Sequence, residues 1–128
     1  MGRMAKSPLR QFEREFRHAL QVLGVNDWDI DIIQEKHRKH VELTADKSYH
    51  RAWLYVPKHW PKRDLSEGYL RHIAIHEAVH VVLNPLTLVA KDRERFISET
   101  ELHEAIESVT VRLTAVIEPL VTANPRLP

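Results

Sequence analysis

Leu70-Arg71-His72-Ile73-Ala74-Ile75-His76-Glu77-Ala78-Val79-His80-Val81-Val82-Leu83 is the stretch on which the reading of the fold turns. At 100° per residue its apolar side chains point to nearly every side, the pattern of a helix surrounded by protein. Only Arg71, His72, His76, Glu77 and His80 interrupt it. On the helical wheel His76, Glu77 and His80 share one face, with the two histidines one turn apart. Two imidazoles and a carboxylate on a buried face are costly unless something satisfies them. Hydrogen bonds within the protein are one solution. A divalent cation held between His76 and His80 is the other, and it meets the need directly.

The rest of the composition sets bounds. A chain of 128 residues is long enough for one compact core and reads as a single domain. Its 43% apolar and 29% charged content is that of an ordinary globular protein. A formal charge of +1 provides no global field for nucleic acid or anionic lipid, so neither is expected as a partner. The apolar runs read as too short to span a membrane, and the N-terminus lacks a signal-peptide core, which predicts a cytoplasmic protein. Cysteine is absent, which excludes disulfides, a thiolate zinc site and a cysteine nucleophile. Nothing in the sequence predicts an oligomeric state.

Outward from the central stretch, the chain predicts an α+β fold. Ser7-Pro8 suits a helix start, Leu9, Phe12, Phe16, Leu20 and Leu23 follow at helical spacing, and Gly24 suits the end. Glu13 and Arg17 form an i,i+4 pair, and this N-terminal helix reads as a cover for the core. Trp28, Ile30 and Ile32 then alternate with Asp29, Asp31 and Ile33. Val41, Leu43 and Ala45 alternate with Glu42 and Thr44, and Ala52, Trp53, Leu54, Tyr55 and Val56 are apolar throughout. Short links between the three runs predict a small three-stranded antiparallel sheet. The basic clusters at residues 36–40 and 58–63 read as solvated loops. His37, His40, His50 and His59 read as surface residues.

Asn84-Pro85 predicts the end of the central helix. Beyond a charged linker, Ser98 with Glu101 resembles a capping box opening a long C-terminal helix. Leu102, Ile106, Val109, Leu113, Val116 and Leu120 form an apolar stripe on it, and Pro119 should bend or end it. Residues 1–6, 46–49 and 124–128 read as a flexible start, a turn and a tail.

His76-Glu77-Ala78-Val79-His80 is the H-E-x-x-H pattern and resembles the zinc metallopeptidases of the zincin type. The resemblance implies one zinc ion, His76 and His80 as ligands, and Glu77 as general base toward a metal-bound water. Leu83 and Leu86 stand where the metzincin pattern has glycine and histidine, so that subgroup is excluded. What remains resembles the gluzincin arrangement, with a third ligand from a glutamate on the following helix. Glu99, Glu101, Glu104 and Glu107 are available. Glu107 is preferred, because Glu107-Ser108-Val109-Thr110-Val111-Arg112-Leu113 resembles the downstream glutamate helix of small phage- and bacterium-type proteins with this motif. Glu104, one turn earlier, is the alternative ligand, or a residue supporting a ligand histidine.

The resemblance further implies a peptide or protein substrate paired with an edge strand, here Ala52, Trp53, Leu54, Tyr55 and Val56, unless that run is an internal strand. An oxyanion donor is also implied, with His103, Tyr69, His72 and Tyr55 as possibilities. Only about 21 residues follow Glu107, fewer than the second subdomain of larger zincins requires. That departure sets a second expectation beside the enzyme: a zinc-stabilised binding or regulatory module with little or no catalysis.

Overall fold

The sequence builds α1 (Pro8–Val22), β1 (Asp29–Glu35), β2 (Glu42–Ala45), β3 (Arg51–Pro57), α2 (Glu67–Lys91) and α3 (Glu99–Ala123). The structure is a computed structural model and describes residues 7–45, 50–62, 66–91 and 98–123. The start expected to be flexible, the turn expected at 46–49, most of the charged linker and the tail expected from 124 lie outside the described residues. The fold is α+β, three helices with a small three-stranded mixed sheet.

Helix α1 forms where local chemistry demands it. Ser7 Oγ accepts the Arg10 N–H at 3.2 Å, and Pro8 occupies the first turn. At the far end Val25 N–H donates to the Leu20 carbonyl and Gly24 N–H to that of Gln21, with Gly24 at φ +76°. This paired capping needs a left-handed residue, which glycine supplies without a steric penalty. Phe12, Phe16, Ala19 and Leu20 are fully buried. The helix is more than a cover, however. Glu15 is buried against Arg71 of α2 at 3.5 Å, and His18 Nε2 donates to the Val121 carbonyl of α3 at 3.2 Å.

The sheet is not the expected antiparallel meander. β3 lies in the middle, parallel to β1 and antiparallel to β2. Residues 36–41 therefore cross the end of β3 to reach β2, a gap of roughly 10 Å for two strand spacings. Arg38 sustains the crossing. It pairs with Glu35 at the end of β1 and Glu42 at the start of β2, and its guanidinium lies 5.3 Å from the Tyr55 ring centre on β3. Short links alone did not distinguish a hairpin from this crossing. The run Ala52, Trp53, Leu54, Tyr55 and Val56 therefore lies in the central strand and is not an edge: its first four residues pair with both β1 and β2, and Val56 pairs with β1. Among the described strands the edges are β1 and β2.

Helix α2 continues past Pro85 to Lys91. Proline removes one backbone bond and crowds the preceding turn, a cost of about 3 kcal/mol in a helix interior. Thr87 and Ala90 continue, half-buried, the line of Leu83 beyond the expected stop, and packing of this kind overrides a local signal. Because the helix continues, Glu67–Ala90 is long and apolar enough to cross a membrane by length and composition alone, contrary to the sequence expectation. In the fold this helix packs against α1, α3 and β2.

Helix α3 starts as expected, with Ser98 Oγ accepting the Glu101 N–H at 3.0 Å, but it continues through Pro119 and is turned from its expected orientation. Of the expected stripe, Leu102 is buried and Ile106 and Leu113 are half-buried, but Val109, Val116 and Leu120 are 47%, 67% and 61% exposed, and Thr110, Thr114 and Val121 are buried in their place. The threonines explain the rotation. Thr110 and Thr114 donate their hydroxyls to the carbonyls of Ile106 and Thr110, both at 2.7 Å. Their polarity is thereby satisfied within the helix, and they present small, apolar faces to the core.

Candidate metal centre

The rotation of α3 has a chemical result: Glu107 shares the face of Thr110 and Thr114 and turns toward α2. Its Oε1 lies 2.8 Å from His80 Nε2 and its Oε2 3.4 Å from His76 Nε2. The two imidazole rings stand 5.0 Å apart, nearly perpendicular. One nitrogen from each histidine and a Glu107 oxygen all fall within 4.8 Å of one another, a group able to hold a metal ion. Ligand atoms held tetrahedrally at ~2.0–2.2 Å from an ion are spaced by roughly 3.3–3.6 Å, and the two histidine–glutamate distances bracket that spacing.

Each member is tuned by its surroundings. Burial lowers the pKa of His76 and of His80, outweighing the opposing pull of Glu107. Neutral imidazole is the form that binds metal. Glu77 is 6% exposed. Burial first, then the negative charges of Glu107 and Glu42, push its carboxyl up to about 8. The charges it senses are all of its own sign, and a divalent cation beside it would reverse the shift.

A cleft of about 230 Å³ opens onto His76 and Glu77. Tyr69, His72 and Ile73 of α2 form one wall, with Pro57 at the end of β3. Lys39, His40 and Val41, from the crossing between β1 and β2, form the other. His72 Nδ1 lies 2.7 Å from Glu118 of α3, a second tie between the two long helices one turn before His76.

Of the residues singled out in the sequence, His76, His80 and Glu107 come together, with Glu77 beside them. Glu104, Glu99 and Glu101 are exposed on α3 and stay outside the cluster. Tyr69 and His72 line the cleft. His103 is exposed one turn before Glu107, and its charge is felt at His80. Tyr55 does not reach the site; it alternates with buried Leu54 and Val56 and lies on the outer face of the sheet beneath Arg38. Sequence reasoning missed Lys39, His40 and Glu118. The i,i+4 row His72, His76 and His80 was a usable signal for His72 and its partner. Lys39 and His40 had no local signal, because only the strand crossing brings them to the cleft. No family model matches the chain, and neither a curated protein nor a solved structure matches it.

Proposed function

We propose that this chain is a zinc-dependent metallopeptidase with a zincin-like core of the gluzincin arrangement. The observation that carries the reading is the convergence of His76 and His80 from α2 with Glu107 from α3, beside a buried Glu77. Two neutral imidazoles and one carboxylate suit zinc with a fourth position left open. Zinc held there supplies Lewis acidity, polarising a peptide carbonyl and acidifying water. Glu77 takes the proton of the attacking water and delivers it to the leaving amine. Its burial keeps bulk solvent from that transfer. His103 stabilises developing negative charge from the α3 side, with Tyr69 the alternative on the cleft side. The substrate is a peptide or protein, and α2 serves as the core helix of a cytoplasmic domain rather than as a membrane span.

One observation favours a second reading. The three ligands join α2 to α3, so an ion there also clamps the helical pair, as in a zinc-stabilised module without turnover. Zinc analysis combined with Glu77→Gln separates the two. The hydrolase reading expects one zinc per chain, cleavage of members of a peptide library by the wild type, and loss of cleavage in Glu77→Gln with zinc retained. Zinc in both proteins and cleavage by neither favours the module.

A further inference from the structure

The cleft beside the cluster has a chemistry that peptide-bond hydrolysis alone does not require. Its floor is apolar, made by Val41, Pro57 and Ile73, and its rim carries Lys39, His40 and Tyr69. Lys39 differs from its neighbour Arg38. Arg38 is neutralised between Glu35 and Glu42, whereas no carboxylate among the described residues pairs with Lys39. Glu77 is the one acid in the lining, and it lies at the cluster end. Tyr69 sits in the first turn of α2, where the helix dipole adds positive potential. His72 donates from Nδ1 to Glu118, which leaves its Nε2 as the ring nitrogen open to a ligand.

Size narrows the ligand. About 230 Å³ is less than the roughly 300–1,000 Å³ of pockets that enclose a drug-sized molecule, so the space takes one residue rather than a length of chain. One unpaired lysine with two hydrogen-bond donors beside it matches a single carboxylate. We infer that this cleft is a specificity subsite that takes a carboxylate-bearing residue next to the scissile bond. The residue's stem lies on Val41, Pro57 and Ile73, and its carboxylate meets Lys39, with His40 and Tyr69 donating hydrogen bonds. The inference rests on the hydrolase reading for its placement beside a scissile bond, but its binding chemistry stands independently. The carboxylate is either the free C-terminus of a peptide or an aspartate or glutamate side chain.

The test is binding without turnover, in the full-length Glu77→Gln chain with and without zinc, followed by calorimetry and by amide NMR shifts. Two peptide pairs are used: one sequence ending in a free carboxylate or an amide, and one amidated sequence carrying glutamate or glutamine. The expected result is about tenfold tighter binding of the acid in one pair, with shifts at residues 39–41 and 69. Preference in the first pair assigns the C-terminus, and preference in the second assigns the side chain. Lys39→Ala removes the preference and Lys39→Arg keeps it; Lys39 is exposed, so the core is untouched. Equal affinities in both pairs, no binding of any peptide, or a preference that survives Lys39→Ala overturns the inference. If the preference holds but the wild type cuts no peptide, the hydrolase reading fails while the carboxylate site stands.

Discussion

Helix α2 buries a glutamate near each of its two flanks, and the two are treated differently. Toward α1, Glu15 is 3% exposed and faces the Arg71 guanidinium, which also pairs with Glu67. Toward α3, Glu77 is nearly as buried, yet the charges acting on it are those of Glu107 and Glu42. Buried acids in proteins are normally answered by a cation or by hydrogen bonds. On the α1 side the protein supplies the cation itself. On the α3 side it supplies two imidazoles and a second carboxylate, a group able to hold a metal ion. This contrast separates a structural pair from a site.

The comparison sharpens most under Glu77→Gln. Peptide cleavage by the zinc-loaded protein should fall by about 10²–10⁴-fold, the usual contribution of a positioned acid–base group. Next in size, Glu107→Gln should weaken zinc binding by about 10²-fold or more, because one of three protein ligands is lost. Glu104→Gln should leave zinc affinity unchanged, and competition with a chromophoric chelator reads both. On the other flank, Arg71→Leu should destabilise the fold by about 2–3 kcal/mol in urea, since it removes a cation that faces the buried Glu15 carboxylate, and should leave zinc affinity intact. If Arg71→Leu lowers zinc affinity as much as Glu107→Gln does, the two flanks are not distinct.

The last effect is a pH dependence of the metal-free protein. Glu77 has a folded pKa of about 8, against an ordinary value of 4.5. Between those values the folded state holds a proton that the unfolded chain has released. Stability is therefore fully present below pH ~4.5 and falls as pH rises toward ~8. Glu77→Gln removes that fall, so the metal-free variant should exceed the wild type by up to a few kcal/mol at pH 8 and match it below pH 4.5. His76 and His80, shifted downward, act oppositely: their contribution is present above 6.5 and lost as pH falls. Both proteins share that loss, so their difference isolates Glu77. A constant gap at every pH would show that the carboxyl does not titrate as described.

What the sequence made legible was local. The caps at Ser7, Gly24 and Ser98, the buried character of the central helix and the shared face of His76 and His80 all follow from chemistry within a few residues. The strand order did not, because Arg38 and its two glutamates act across the sheet. Pro85 was a strong stop signal overridden by packing. The face of α3 was misread because threonine counts as polar in a hydrophobic stripe, although Thr110 and Thr114 satisfy their hydroxyls on their own helix. That same rotation brings Glu107 rather than Glu104 to the histidines. The burial of Glu15 and His18 had no local signal, since Arg71 and Val121, which they meet, lie far along the chain.

The most direct test is X-ray absorption at the zinc edge on the protein loaded with one equivalent of zinc, repeated on Glu107→Gln. The account predicts a first shell of two imidazole nitrogens and light oxygen atoms at ~2.0–2.2 Å, with the wild-type shell changed in the variant. Zinc that fails to bind, a shell without paired imidazoles, or a spectrum indifferent to Glu107→Gln would contradict it.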